Sequence, residues 1–286
     1  MRFWHQSSTD LTLLTKYREN ICNHAKQVLD PGIMVEPYGF PTGTRPAGID
    51  MDIMQYPYIA FQCERIVCEA ALTAEREGYD ALTIGCNLDI GLRTCRSIVD
   101  IPVVGVTESS MHAACLLGKK FAFITISSFL KSHITTQVEE NGLEKRLACV
   151  LTMKNLHDNQ AGSADSRGER TIYHLVTEEK AKAEEIFLST CEEAIAMGAD
   201  VLIPGEGILN EFVFERGMTH CGGIPILDAN AALWHCGTML AKLRSRSSIN
   251  TSRGFAYLKP DDELMNLTRE FHKALSFSGS SATDFS

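Results

Sequence analysis

The sequence lacks several features that would assign it to a specialised class of protein. No stretch approaches the roughly 18 to 20 consecutive apolar residues that cross a bilayer, and the opening MRFWHQSSTD has no apolar core of a signal peptide. Positive charge is scarce, because 27 Lys and Arg stand against 36 Asp and Glu, for a net charge of −9. We therefore expect no membrane association, and the acidic balance argues against nucleic acid as a partner.

Paired cysteine motifs are also missing, although the chain has ten cysteines. There is no CxxC pair, and the spacings from Cys63 to Cys68 and from Cys86 to Cys95 do not follow the ligand pattern of a zinc site. A chain of 286 residues can build a core without a disulfide framework. We expect reduced thiols, a cytoplasmic location and no bound metal.

The chain does contain a regular alternation of short apolar runs and helical patterns. We predict strands over 2–6, 33–38, 81–85, 103–106, 121–125, 149–153, 201–204 and 224–228, and helices over 10–29, 56–77, 91–98, 109–118, 129–141, 177–197, 208–216, 229–244 and 261–275. Such alternation is typical of parallel sheets with helices on both faces. The polar segment 154–170 is expected to be a mobile loop, and 276–286 a disordered tail.

One long phrase of the sequence occurs twice. EGYDALTIGCN (77–87) aligns with MGADVLIPGEG (197–207) at an offset of 120 positions, which places Cys86 on Glu206. The same offset places Ser7 and Ser8 on Ser127 and Ser128. With an insertion of three residues, IPVVG (101–105) also aligns with IPILD (224–228). This period is too long for a solenoid and fits two similar α/β halves. We assign residues 1–117 with 229–275 to one half and 118–228 to the other.

Two such halves predict one shared cleft. Ligands of open parallel sheets bind outside the carboxyl ends of the strands, so facing sheets would bring Cys86 and Glu206 to opposite sides of a ligand. Hydroxyl groups and helix N-termini would surround it and favour an anionic group. The candidate binding residues are Ser7, Ser8, Asn87, Thr125, Ser127, Ser128 and Gly207.

The phrases GYDALTIGCNLDIGL, DIPVVGVTESSMHAACLLGKKFAFIT and GADVLIPGEG resemble the aspartate/glutamate racemase superfamily, and especially its hydantoin racemase branch. The resemblance runs from about residue 2 to residue 245. It implies a cofactor-independent homo-oligomeric enzyme in which two cysteines flank the α-carbon of the substrate. The first cysteine of the family falls on Cys86 and the second on Glu206. The polar loop after its first strand falls on Ser7, and its carboxylate- or amide-binding loop on 125–128.

The changed second position leaves the reaction open. A thiol at a strand-to-helix turn can have its pKa lowered by backbone N–H groups, and a partly buried carboxyl can exchange protons. Cys86 and Glu206 would then racemise a small amino-acid-derived or hydantoin-like substrate, and an ionised Glu206 would disfavour a dicarboxylate. Decarboxylation or cis–trans isomerisation through Cys86 alone is the alternative on this scaffold. A non-catalytic small-molecule binder is the alternative from another class.

Each candidate also has a purely structural interpretation. Cys86 can be a buried thiol, Glu206 can form a structural ion pair, and serines after strands can cap helices. Asn87 and Asp89 can shape a loop. Glu108, which follows a strand end, is expected either to orient Cys86 or to pair with a backbone donor.

Overall fold

The computed structural model describes residues 1–44, 51–153 and 172–275, with the side chains of 51–52, 172–174 and 269–275 left aside. Within these ranges the strands are β1 (Arg2–Gln6), β2 (Met34–Tyr38), β3 (Ala81–Ile84), β4 (Val103–Gly105), β5 (Phe121–Thr125), β6 (Leu147–Thr152), β7 (Val201–Pro204), β8 (His220–Cys221) and β9 (Ile224–Pro225). The helices are α1 (Thr15–Val28), α2 (Pro57–Arg76), α3 (Leu92–Ile98), α4 (Val106–Leu117), α5 (Ser128–Glu140), α6 (Ile172–Glu178), α7 (Lys180–Ala196), α8 (Gly207–Glu215), α9 (Ala229–Ser247) and α10 (Asp262–Leu275).

The predicted alternation of strands and helices is confirmed, with three shifts. Helix α1 begins at Thr15 rather than at residue 10, and the single helix expected over 177–197 belongs to α6 and α7. Helix α4 begins at Val106, three residues earlier than expected. The expected loop over 154–170 and the expected tail over 276–286 lie outside the described residues. No helix in the described part of the chain is long and apolar enough to cross a bilayer.

Two parallel sheets form the two-domain α/β fold that the repeat predicts. The first sheet has the order β2-β1-β3-β4, and the second has the order β6-β5-β7. All strand pairs within these two sheets are parallel. Strands β3 and β5 are buried along their whole length, which is why they read ALTI and FAFIT without polar alternation.

The internal repeat is visible in the strand register. Leu82 pairs with Val103 in the first sheet, and the equivalent Leu202 forms a parallel bridge with Ile226 in the second. The aligned glycines also match, because the Gly85 N–H donates to a β1 carbonyl at 2.9 Å and the Gly205 N–H to a β5 carbonyl at 2.7 Å. The chain therefore leaves β3 and β7 in the same way.

The strand expected over 224–228 is much reduced. Ile224 and Pro225 pair antiparallel with β8, and Ile226 alone bridges to β7. Pro225 has no N–H to give to a ladder. Asp228 then ends the segment as the N-cap of α9, because its carboxylate accepts the Ala231 N–H at 3.0 Å.

A buried ionic cluster joins α1, α8 and α9. The His24 ring lies between two carboxylates, with Nδ1 2.7 Å from Glu211 Oε1 and Nε2 2.6 Å from Asp228 Oδ2. It stacks on Phe214 and meets Trp234 edge-on. Burial lowers the pKa of His24, but the hydrogen bonds with Asp228 and Glu211 outweigh burial and raise it to about 9. A charged His24 therefore fixes α8 against α1.

Candidate active site

Cys86 and Glu206 line one enclosed cavity where the carboxyl ends of β3 and β7 meet. Its volume is ≈ 60 Å³, which is room for about two water molecules. Its wall consists of Ser7, Ser8, Thr9, Tyr17, Gly85, Cys86, Asn87, Leu130, Glu206, Gly207 and Ile208.

Cys86 is a buried thiol, 4% exposed. Burial raises its pKa to about 11, against the lowering effect of hydrogen bonds from Ser8 and from the Leu88 N–H, while the charges of Asp89 and Glu206 raise it further. The expectation of a lowered pKa at this strand-to-helix turn is therefore wrong, because burial outweighs the backbone N–H group. Helix α3 begins only at Leu92, after a turn, so its N-terminus does not lie at Cys86. In the resting protein Cys86 therefore carries its proton at neutral pH.

Glu206 lies at the equivalent point of the second sheet and has a defined local role. It is the N-cap of α8, and its Oε2 accepts the Leu209 N–H at 2.9 Å. A carboxylate at a helix N-terminus is stabilised by the unpaired N–H groups there. The side chain is half-buried and also forms part of the cavity wall. Gly207, the first residue of α8, lies beside it in the same wall.

The predicted binding residues divide into two groups. Ser7, Ser8, Asn87 and Gly207 lie in the cavity wall together with the two catalytic candidates. Ser127 is instead the N-cap of α5, where its Oγ accepts the Leu130 N–H at 3.2 Å.

Two further residues of the predicted loop also lie outside that wall. Ser128 is exposed, and Thr125 is fully buried with an Oγ1 that has no hydrogen-bond partner among the described residues. Within the described chain, the structure therefore does not bring these hydroxyl groups, or that of Ser127, to the cavity. Leu130 of α5 lies there instead.

Asp89 determines the shape of the loop that carries Cys86. It has a positive φ of 45°, and its carboxylate accepts the N–H groups of Thr107 at 3.1 Å and Glu108 at 2.8 Å. This distant cap explains why α4 begins three residues earlier than the sequence suggests. Burial raises the pKa of Asp89 to about 7. The Asn87 amide donates to Thr107 at 3.3 Å, so two residues of this loop are hydrogen-bonded to α4.

Glu108 pairs with a guanidinium. Its carboxylate makes a bidentate pair with Arg96, with one contact at 3.0 Å between Nη1 and Oε1 and a second between Nη2 and Oε2. Its own N–H donates to Asp89. The carboxylate of Glu108 is thus held by Arg96 rather than by the expected Cys86 or backbone donor. Its backbone N–H holds Asp89, and it is the charge of Asp89 that acts on the thiol.

Tyr17 is a wall residue that sequence reasoning missed. It belongs to the first turn of α1 and is 5% exposed, and its hydroxyl lies 2.6 Å from the point where a Cβ on Gly207 would stand. The one sign of this contact in the sequence is Gly207, where any larger side chain would collide with the phenol. Thr9, Leu130 and Ile208 were missed as well.

Among the described residues, no group of three or more His, Cys, Asp or Glu side chains could hold a metal ion. Fold and cavity together define an α/β protein in which one titratable side chain follows a strand of each of the two parallel sheets and lines the same cavity.

The family model described as Asp/Glu/Hydantoin racemase matches residues 50–236, and the chain belongs to this family. It is therefore an enzyme of the racemase type, and the curated proteins that it matches are hydantoin racemases.

Named relatives agree with this assignment. The chain is 25% identical to a hydantoin racemase of Paenarthrobacter aurescens over 66% of its own length and 72% of the relative's. It is 36% identical over 86 residues to a hydantoin racemase of Pseudomonas sp. (strain NS671), an alignment that covers 30% of this chain and only 34% of that protein. The fold matches the allantoin racemase from Klebsiella pneumoniae with a TM-score of 0.68 and 18% identity, over 92% and 94% of the two chains.

Proposed function

We propose that this protein is a cofactor-independent racemase that inverts the α-carbon of a hydantoin-like or other small amino-acid-derived substrate. The observation that carries the proposal is the position of Cys86 and Glu206. They follow equivalent strands of the two sheets and line one cavity. Racemisation needs a proton acceptor on one face of a carbon and a proton donor on the other. The hydantoin racemases among the relatives support the substrate class.

The protonation states support a division of roles. Cys86 has a pKa of about 11, so it starts as an acid, and Glu206 at a helix N-terminus starts as a carboxylate. For one enantiomer Glu206 takes the α-proton, the C–H electron pair enters the enolate, and the Cys86 thiol protonates the opposite face. The other enantiomer reacts through the same steps in reverse, from a Cys86 thiolate and a protonated Glu206.

The charge of the wall supports a neutral substrate. Among the described residues that form the wall there is no Lys or Arg to pair with a substrate carboxylate. A dicarboxylate would therefore bring two unpaired charges close to Glu206 in a poorly solvated space. A hydantoin ring carries amide and carbonyl groups instead, which the hydroxyl groups of Ser7 and Ser8 can bind. We further expect a cytoplasmic homo-oligomer without nucleic acid or membrane partners.

One observation favours a second candidate function. Glu206 already caps α8, so its carboxyl can be structural and leave Cys86 as the single proton donor. Decarboxylation followed by protonation from one face, or cis–trans isomerisation through thiolate attack, needs only that residue. A binding protein without activity would need neither residue to react.

Incubation in D2O distinguishes these functions. The probes are 5-substituted hydantoins, free amino acids and 2-substituted malonates, followed by 1H NMR and by circular dichroism of the substrate. We expect exchange of the α-proton together with loss of optical activity for a hydantoin. Loss of CO2 from a malonate without hydantoin exchange would establish the second function. No reaction with any probe, and binding unchanged in Cys86→Ser, would overturn both.

A further inference from the structure

The phenol of Tyr17 lies inside the proposed site rather than beside it. Its hydroxyl and the carbonyl of Gly85 approach the same point above Gly207, at 2.6 and 3.4 Å respectively. Gly85 immediately precedes Cys86, and Gly207 immediately follows Glu206. Tyr17 is thus placed between the two loops that carry the proton-transfer residues.

The environment of Tyr17 keeps its proton in place. Burial holds the pKa of the phenol well above its usual range, and the charges of Glu206, Glu211 and Cys86 act in the same direction. Both proposed proton carriers thus act on this phenol. A group that stays protonated beside them is a hydrogen-bond donor throughout the reaction and does not compete for the α-proton.

Three other donors of the wall have defined partners. The Asn87 amide donates to Thr107 at 3.3 Å, and the Ser7 N–H donates to the Tyr38 carbonyl at 2.8 Å. The Ser8 hydroxyl is hydrogen-bonded to the Cys86 thiol. The Tyr17 hydroxyl instead stands directly against Gly207, at a point that the carbonyl of Gly85 also approaches.

We propose that Tyr17 is a catalytic residue whose hydroxyl donates a hydrogen bond to the carbonyl oxygen next to the reacting α-carbon. This rests on the proposed racemisation. When the base takes the α-proton, the C–H electron pair forms the carbon–carbon double bond and the carbonyl π pair moves onto the oxygen. Tyr17 stabilises that oxyanion without giving up its own proton, and the carbonyl forms again when the acid protonates carbon.

Position 207 is then coupled to Tyr17. A Cβ at that position would stand 2.6 Å from the phenol oxygen and 3.7 Å from Cζ, so only the hydroxyl is seriously crowded. Gly207→Ala should displace the hydroxyl, while removal of the hydroxyl should make room for the methyl group. The two substitutions are therefore expected to be non-additive.

The test compares Tyr17→Phe with Tyr58→Phe, a matched substitution at an exposed tyrosine of α2. We expect Tyr17→Phe to lower kcat for hydantoin racemisation by about 10²- to 10³-fold, the usual loss for one oxyanion donor, with a small change in KM. Affinity for a planar anionic mimic of the enolate should fall by a similar factor. Tyr58→Phe should match the wild type in all three measurements.

The double variant keeps the test independent of simple misfolding. Gly207→Ala should slow the wild type but cause no further loss of rate in the Tyr17→Phe background, with circular dichroism checking the fold of each variant. A Tyr17→Phe enzyme within threefold of the wild-type kcat, or fully additive losses in the double variant, overturns the assignment of Tyr17. A wild type that exchanges no α-proton of any hydantoin overturns instead the function on which it rests.

Discussion

The buried His24 cluster is expected to make the protein less stable as the pH rises into the alkaline range. The side chain of His24 is 1% exposed between Glu211 and Asp228, and its pKa is raised from 6.5 to about 9. Because the folded state holds this proton more tightly than the unfolded chain, the stabilisation is complete below pH 6.5 and is lost as the pH rises through about 9. The difference corresponds to about 3 kcal/mol of unfolding free energy.

Urea unfolding of the wild type and His24→Gln across this range measures the effect. The difference between the free energies of unfolding of wild type and variant should shrink by about 3 kcal/mol between roughly pH 6 and pH 10. Other titrating groups are common to both proteins and cancel in this difference. His220→Gln, at an exposed histidine, is the matched control and should follow the wild type. A constant difference between wild type and His24→Gln across this range would refute a charged His24 in the fold.

Three other substitutions or treatments test the loop of Cys86. Gly105→Ala places a Cβ 2.4 Å from the Asp89 carboxyl carbon and should destabilise the protein by about 1–3 kcal/mol in urea unfolding. Arg96→Met should lower the free energy of unfolding by about 2 kcal/mol, and by less in a Glu108→Gln background. Equal losses in the two backgrounds would contradict the Arg96–Glu108 pair. Iodoacetamide should label Cys86 slowly at neutral pH and faster as the pH approaches about 11; rapid labelling near neutral pH, followed by mass spectrometry, would contradict the raised pKa.

The fold could be predicted because its signals are local or repeated. Buried parallel strands are continuous apolar runs, and β3, β5 and β7 are of this kind. The repeat relates the ends of β3 and β7, which is why the sequence alone is enough to pair Cys86 with Glu206. The strand at 224–228 is shorter than predicted, because its apolar composition does not reveal that Ile224 and Pro225 pair with β8 while Ile226 alone bridges to β7.

The site was less predictable because it depends on distances between segments. The pKa of Cys86 depends on burial from both halves, and the sequence pattern showed only the nearby turn. Tyr17 enters the cavity because α1 packs against α8, a tertiary contact without a local signal. The interpretation of Ser127 as a helix cap and its interpretation as a binding residue rest on the same local pattern, and the structure places its hydroxyl in the cap.

The most direct test of opposite-face proton transfer follows each enantiomer of one hydantoin in D2O with Cys86→Ser and Glu206→Gln. Each variant should lose racemisation but still exchange the α-proton of one enantiomer with retention of configuration, because its remaining residue still faces one side of the carbon. The two variants should select opposite enantiomers. Racemisation that survives in Glu206→Gln, or complete loss of exchange of both enantiomers in Cys86→Ser alone, would contradict a Cys86–Glu206 pair.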